Sequence, residues 1–162
     1  MKNSIYHDII TEHILERKED YYRLAYSYVR NKDDALDIVQ EAICKALDSS
    51  DSLKNPSGVR TWFYRIVVNT SIDFIRKNRK TICVEDSALE LSLGEVEDYY
   101  HDIDLEKAID ALSPENKTII TLRYFENFKI EEIADILGEN INTVKSRLYG
   151  VLKKLRVVLE EE

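Results

Sequence analysis

An all-α fold is predicted by three observations. Helix breakers are scarce, apolar residues recur at steps of three and four, and residues suited to helix ends stand where those stripes begin and stop. Four glycines and two prolines in 162 residues, with abundant Leu, Ile, Lys and Glu, favour long helices and short loops. The length allows one domain, or two small ones that each bury a modest core. No apolar run approaches the ~18 residues that would span a membrane. Glu12, Glu16 and Glu19 make the first turns unlike a signal peptide. Cys44 and Cys83 lack metal-type spacing and read as reduced thiols of a cytoplasmic protein. His7, His13 and His101 are scattered and join no nucleophile or acid in a catalytic order. No enzyme activity, metal or cofactor is expected.

Charge divides the chain. The formal net charge is −8, yet residues 1–80 carry +2 and residues 105–162 carry −2. The whole excess sits in "TICVEDSALELSLGEVEDYYHDID", residues 81–104, which holds eight acids and no base. Its weak periodicity predicts an acidic linker, with "SALELSL" able to form a short helix. The predicted organisation is a helical domain at 1–80, the linker at 81–104, and a second helical domain at 105–162.

In the first domain, "DDALDIVQEAICKALDSS" places Ala35, Val39, Ala42 or Ile43, Ala46 and Leu47 on one stripe. Asp33 or Asp34 suits its start and the serine pair its end. The opposite side shows Asp37, Gln40, Glu41 and Cys44, with Ile38 lying off the main stripe. That side is either a solvated acidic face or a docking face for a partner helix. Asn55-Pro56-Ser57-Gly58 makes a turn. A helix then runs from about Val59 to about Asn78, with Trp62 or Phe63, Ile66, Thr70 and Phe74 facing a core. Arg65, Asn69, Asp73 and Arg76 fall together on another face, and the helix ends in Arg76, Lys77, Arg79 and Lys80. Such cations attract phosphates, and the Asn69 amide has the paired donor and acceptor that read a base edge. Cations also suit any helix C-terminus, so the charge alone does not establish nucleic-acid binding.

In the second domain, Ser113 caps a helix that has Pro114 at its first position. The segment "KIEEIADILGENINTVKSRLYGVLKKL" then reads as helix, Gly138-centred turn, helix. Ile130, Ile133, Ala134 and Leu137 pack from the first helix, and Val144, Leu148, Val151 or Leu152, Leu155 and Leu159 from the second. Thr143 or Asn142 is suited to cap the second. This is a helix-turn-helix. With Val144 and Leu148 turned inward, Lys145, Tyr149 and Lys153 recur on the outer face, flanked by Ser146 and Asn142. The first turns of such a helix enter the major groove, and later cations hold phosphates.

Taken together, "DDALDIVQEA", "TWFYRIVVNTSIDFIRK" and "ALSPENKTIITLRYFENFKIEEIADILGENINTVKSRLYGVLKKLR" resemble an extracytoplasmic-function sigma factor, the two-domain class of the sigma-70 family. The resemblance covers about residues 21–80 and 105–159. It implies binding to core RNA polymerase through Asp37, Ile38, Gln40 and Glu41, against the clamp helices of the largest catalytic subunit. It implies contact with the −10 element of promoter DNA by Arg65, Asn69, Arg76 and Lys77, with the loop around Leu53–Val59 receiving a base. The −35 element falls to Asn142, Thr143, Lys145, Ser146, Arg147, Tyr149 and Lys153. Gly150 departs from the family, many of whose members carry a basic residue there, which leaves one phosphate or base contact open. The family's linker threads the polymerase RNA-exit channel, which would give the acids of 81–104 a use beyond that of a solvated tether. "YYRLAYSYVRNKDDALDIVQEAI" and "GENINTVKSRLY" are most similar to the sigma-V branch of low-GC Gram-positive bacteria. That likeness implies a membrane-anchored anti-sigma factor and release under envelope stress. The competing reading is a repressor or activator that binds duplex DNA through its helix-turn-helix without polymerase. It leaves "TWFYRIVVNT" and the acidic "DIVQEA" face without a role.

Overall fold

The computed structural model describes the backbone of residues 2–82 and 101–160, all of it helix, turn or loop with no strand. Residues 83–100, with Cys83 and "SALELSL", and the packing of Leu159 lie outside the described residues, while residues 81–82 and 101–104 of the expected linker are helical.

Three long helices form the N-terminal lobe: α1 (Lys2–Val29), α2 (Lys32–Asp48) and α3 (Val59–Ile82). Sequence reasoning found little in the first 20 residues, but α1 begins there and turns Ile10 and Ile14 into the core. It bends at Arg17, whose backbone leaves helical geometry at φ −122°. The α2 stripe is inward as expected, with Ala35, Val39, Ala42 and Ala46 buried. Its N-cap is Asn31 rather than an aspartate. The Asn31 carboxamide oxygen accepts from the Asp34 N–H at 3.0 Å, leaving Asp33 and Asp34 in the first turn, where they meet the positive end of the helix dipole. The turn before α3 is a pair of short 3₁₀ turns, Ser50–Ser52 and Pro56–Gly58, the second capped by Asn55 through the Ser57 N–H. Trp62 is only partly buried, and its indole N–H donates to Ser52 Oγ at 2.9 Å, which ties α3 to the first turn.

The C-terminal lobe comprises α4 (His101–Asp110), α5 (Pro114–Ile120), a π-helical turn at Thr121–Phe125, α6 (Ile130–Leu137) and α7 (Ile141–Glu160). Ser113 caps α5 as expected. Gly138 ends α6 at φ +66°, a left-handed conformation in which a side chain is strained, and the Glu139 N–H returns to the Ala134 carbonyl. The cap of α7 is neither Asn142 nor Thr143. Asn140 supplies it, its side-chain oxygen accepting from the Asn142 N–H at 2.9 Å. Ile133, Ala134 and Ile136 of α6 and Val144, Leu148, Val151 and Leu155 of α7 are buried.

The two lobes pack directly on each other. One continuous core joins Tyr21, Leu24, Phe63, Tyr64 and Val67 to Ile119, Leu122, Phe128 and Ile133. Tyr64 and Phe128 meet edge to face at 4.7 Å. A second, smaller cluster of Ala25, Ala35, Ile38 and Val39 fixes α2 to α1.

Candidate nucleic-acid interface and docking face

The α2 surface divides cleanly. Asp37, Gln40 and Glu41 are exposed, with Glu41 paired to Lys45 one turn on at 3.5 Å. Ile38 is not among them. It is fully buried against Ala25, Ala35 and Val39, because its position points to α1 rather than outward. A direct contact by Ile38 with a partner is therefore corrected to a supporting role beneath the face. Sequence reasoning missed an apolar groove beside that face, about 480 Å³, between α1 and α2. Leu15, Lys18, Tyr22, Leu36, Gln40 and Ile43 are among its lining residues, and Leu15 and Leu36 are 65% and 49% exposed. Two large aliphatic side chains on the outward faces of adjoining helices are the sequence signal that was available.

On α3, Arg65, Asn69, Asp73, Arg76 and Lys77 are all exposed. Phe63, Tyr64, Val67, Val68 and Thr70 hold the other faces of the helix inward and so fix this orientation. Arg76 reaches Glu115 of the C-terminal lobe at 3.4 Å. The Arg65 guanidinium lies against the Gly138 turn, where a β-carbon would stand 3.2 Å from Arg65 Nη2.

On α7, Asn142, Thr143, Lys145, Ser146, Arg147, Tyr149 and Lys153 are exposed, and Tyr149 keeps 64% of its surface in solvent. Arg147 is partly occupied, because its Nη1 donates to Glu139 Oε1 in the turn at 2.9 Å. Gly150 is exposed, with open space where a side chain would extend. Among the described residues, no group of three or more His, Cys, Asp or Glu side chains could hold a metal ion. No helix among them is long and apolar enough to cross a membrane.

The least expected polar group is Glu126, in the "ENF" that separates the π turn from α6. Its residue is 5% exposed. Arg23 of α1 donates to both carboxylate oxygens, and Tyr64 of α3 donates to Oε2 at 2.8 Å. Arg60 of α3 donates to the Glu126 carbonyl at 3.2 Å while its guanidinium lies 4.1 Å from the centre of the Phe128 ring. Burial, aided by the bond to Glu126, holds the Tyr64 hydroxyl firmly protonated, so it serves as a donor. An acid among Phe125, Asn127 and Phe128 in a short inter-helix segment was the available signal, but its three partners lie 62 or more residues away.

Comparison with known proteins covers both lobes. The family described as Sigma-70 region 2 matches residues 14–81, and Sigma-70, region 4 matches residues 102–155. The RNA polymerase sigma factor SigV of Bacillus subtilis strain 168 is 53% identical over 149 residues, 92% of this chain and 90% of that protein. The ECF RNA polymerase sigma-E factor of Haemophilus influenzae is 32% identical over 134 residues, 74% of this chain and 71% of that protein. A co-crystal structure of the sigma factor RpoE with the anti-sigma factor NepR from Bartonella quintana shares the fold. Its TM-score is 0.72 at 24% identity, covering 93% of this chain and 96% of that one.

Proposed function

The chain belongs to the sigma-70 family, in its extracytoplasmic-function class, and from that premise we propose that it directs core RNA polymerase to promoters with two separated elements and helps to open the DNA. Members of the family are transcription-initiation factors, not enzymes. The observation that carries the reading is the separation of three exposed faces on three helices. Asp37, Gln40 and Glu41 stand beside the apolar groove on α2, Asn69 stands among cations on α3, and Lys145 stands with Tyr149 and Lys153 on α7. The first suits a helical protein partner, since an apolar groove supplies affinity and a charged rim sets orientation. The second suits a strand already opened, where splayed bases expose their edges. The third suits intact duplex. A repressor that acts without polymerase uses only the third.

Residues 1–80 are thus assigned to polymerase and the −10 element, residues 81–104 to the linker and residues 105–162 to the −35 element, in a cytoplasmic protein. A membrane-anchored anti-sigma factor that clamps both lobes is the proposed regulator, relieved by envelope stress. The likeness to the sigma-V branch supports this, as does the anti-sigma factor bound by the Bartonella protein.

Reconstituted transcription tests the reading. The protein with core polymerase initiates, and charge reversal at Glu41 abolishes the association while helicity stays unchanged, as surface substitutions away from caps and core usually cost within about 0.5 kcal/mol. Asn69→Ala weakens capture of a single-stranded −10 oligonucleotide and slows strand opening, with duplex −35 binding untouched. Tight duplex binding by the free protein, with no initiation on core polymerase, returns the case to the repressor.

A further inference from the structure

Arg147 differs from the other cations on the exposed side of α7. Among the described residues Lys145 and Lys153 make no ion pair, whereas Arg147 Nη1 donates to Glu139 Oε1 at 2.9 Å, eight residues back in the turn before α7. Side chains on an α-helix lean toward its N-terminus, and this bond draws the guanidinium further that way, to the end that carries Asn142 and Thr143. That is the end of a helix-turn-helix that meets base edges in the major groove. The turn holding Glu139 is itself fixed. Gly138 takes φ +66°, the Glu139 N–H returns to the Ala134 carbonyl at 2.9 Å, and Asn140 caps α7 through the Asn142 N–H.

An acid in this place needs a reason. The sequence holds none between Asn140 and Leu159, and a carboxylate beside the end that enters the groove repels the phosphates there. The helix dipole favours an acid near an N-terminus, but that asks nothing of Arg147. Direct reading of a base by Glu139 does not suit the geometry either, because its Oε2 is closed off from solvent and has no hydrogen-bond partner. The two side chains are 40% and 27% exposed, so the pair adds little to stability. Its effect falls on where Arg147 points. With Nη1 given to Glu139, the Nε–Nη2 edge of the guanidinium is left over, and a parallel pair of donors of that kind matches O6 and N7 of guanine.

We propose that Glu139 is a positioning residue for sequence reading: it holds Arg147 so that the Nε–Nη2 edge meets one guanine of the −35 duplex. This rests on the reading of α7 as the duplex-binding helix of a sigma factor. Glu139 touches no base. It acts by sparing the cost of ordering a long side chain at the moment of binding. The acid exchanges overall affinity for discrimination, since it weakens the pull on every phosphate alike and strengthens only the complex with guanine at that position. Sequence-independent attraction then falls to cations left unpaired, such as Lys153.

The test uses the full chain. Selection from a duplex library randomised across the −35 region gives the parent's preferred site, and competition anisotropy on single-pair variants of that site gives the discrimination at each position. The parent prefers guanine at one position by at least about fivefold, and Arg147→Ala abolishes that preference. Arg147→Lys keeps the charge but not the planar fork, so it loses most of the preference while the salt dependence of affinity is kept. Glu139→Gln lowers the preference at the same position by at least about threefold, because a neutral acceptor holds the guanidinium less firmly. The other positions change by less than about twofold, and Glu139→Gln adds nothing in an Arg147→Ala background. Melting temperatures stay near the parent's throughout. An effect of Glu139→Gln that is equal at every position, with a steeper salt dependence, makes Glu139 a neutraliser of Arg147 and overturns the proposal. Unchanged discrimination in Glu139→Gln overturns it too, as does a change confined to melting temperature. So does a parent without a guanine preference that depends on Arg147. A parent that discriminates but fails to initiate on core polymerase counts against the sigma-factor reading alone, since discrimination is measured without polymerase.

Discussion

Gly150 offers a substitution whose effects on stability and on DNA binding can be separated. It lies in the middle of α7, exposed, with nothing within 4 Å of a β-carbon, and it is not among the residues of positive φ. Alanine therefore fits without strain and removes the backbone freedom that glycine brings, a gain of about 1 kcal/mol in an exposed helix interior. In a chain of this size that raises Tm by about 2–4 °C. Lysine has nearly the same helix propensity but adds a cation three or four residues from Arg147, Lys153 and Lys154, so its gain is smaller by a few tenths of a kcal/mol. On DNA the two variants part. If position 150 faces the phosphate backbone, lysine adds one neutralised phosphate and steepens the dependence of log affinity on log salt by about 0.9. Between 50 and 200 mM salt the lysine variant then loses about 3.5-fold more affinity than the alanine variant. Anisotropy titrations of a labelled −35 duplex at four salt concentrations, beside thermal melts, measure both effects. Lys145→Ala is the converse control: it flattens the slope by about one if Lys145 holds a phosphate, and narrows discrimination at one position by about 1–3 kcal/mol if it reads a base. Equal salt slopes for Gly150→Ala and Gly150→Lys would refute a phosphate contact at position 150.

Ile38→Ala discriminates a core residue from a docking residue. With Ile38 fully buried, the variant loses about 2–5 kcal/mol of stability in urea titrations, and core-polymerase affinity measured in the cold follows only the folded fraction. Unchanged stability with lost polymerase binding would put Ile38 on the surface. His13 gives a pH signature. Burial first, then the positive charges of Arg17 and Arg60, hold its pKa below the ordinary value of about 6.5, and its ring is bonded to the Tyr21 hydroxyl. The folded state thus binds the proton less well than the unfolded state. Stability is complete above about pH 6.5, falls as pH drops through that value, and levels off once the pH is below the folded pKa. The slope cannot exceed about 1.4 kcal/mol per pH unit and is lowered by solvent around the half-buried ring. Urea midpoints at pH 7.5 and 5.5 should differ more in the parent than in His13→Gln; equal differences would remove His13 as the cause.

The sequence by itself determined every element whose signal is local. The α2 stripe, the Asn55–Gly58 turn, the Ser113 cap and the Gly138 turn follow from periodicity and backbone preference, because each depends on residues a few positions apart. The outward placement of Asn69, Lys145 and Tyr149 followed as well, since fixing a helix's buried stripe fixes its opposite face. Errors were of two or three residues where several caps competed: Asn31 and Asn140 displaced their neighbours as caps because the side-chain oxygen must meet an N–H two or three residues on. Ile38 was misplaced for a different reason. A stripe drawn for one partner misses a residue held by another, and α2 packs on both α1 and α3. The groove beside Leu36 exists only once α1 lies alongside α2. Glu126 is the plainest case. Alone in sequence it is an acid between aromatic residues, and only the packing of one lobe on the other brings it Arg23 and Tyr64, 103 and 62 residues away. Local chemistry therefore set which faces this chain presents. How the lobes that carry those faces sit together is decided by contacts between distant segments, which no pattern within a single helix encodes.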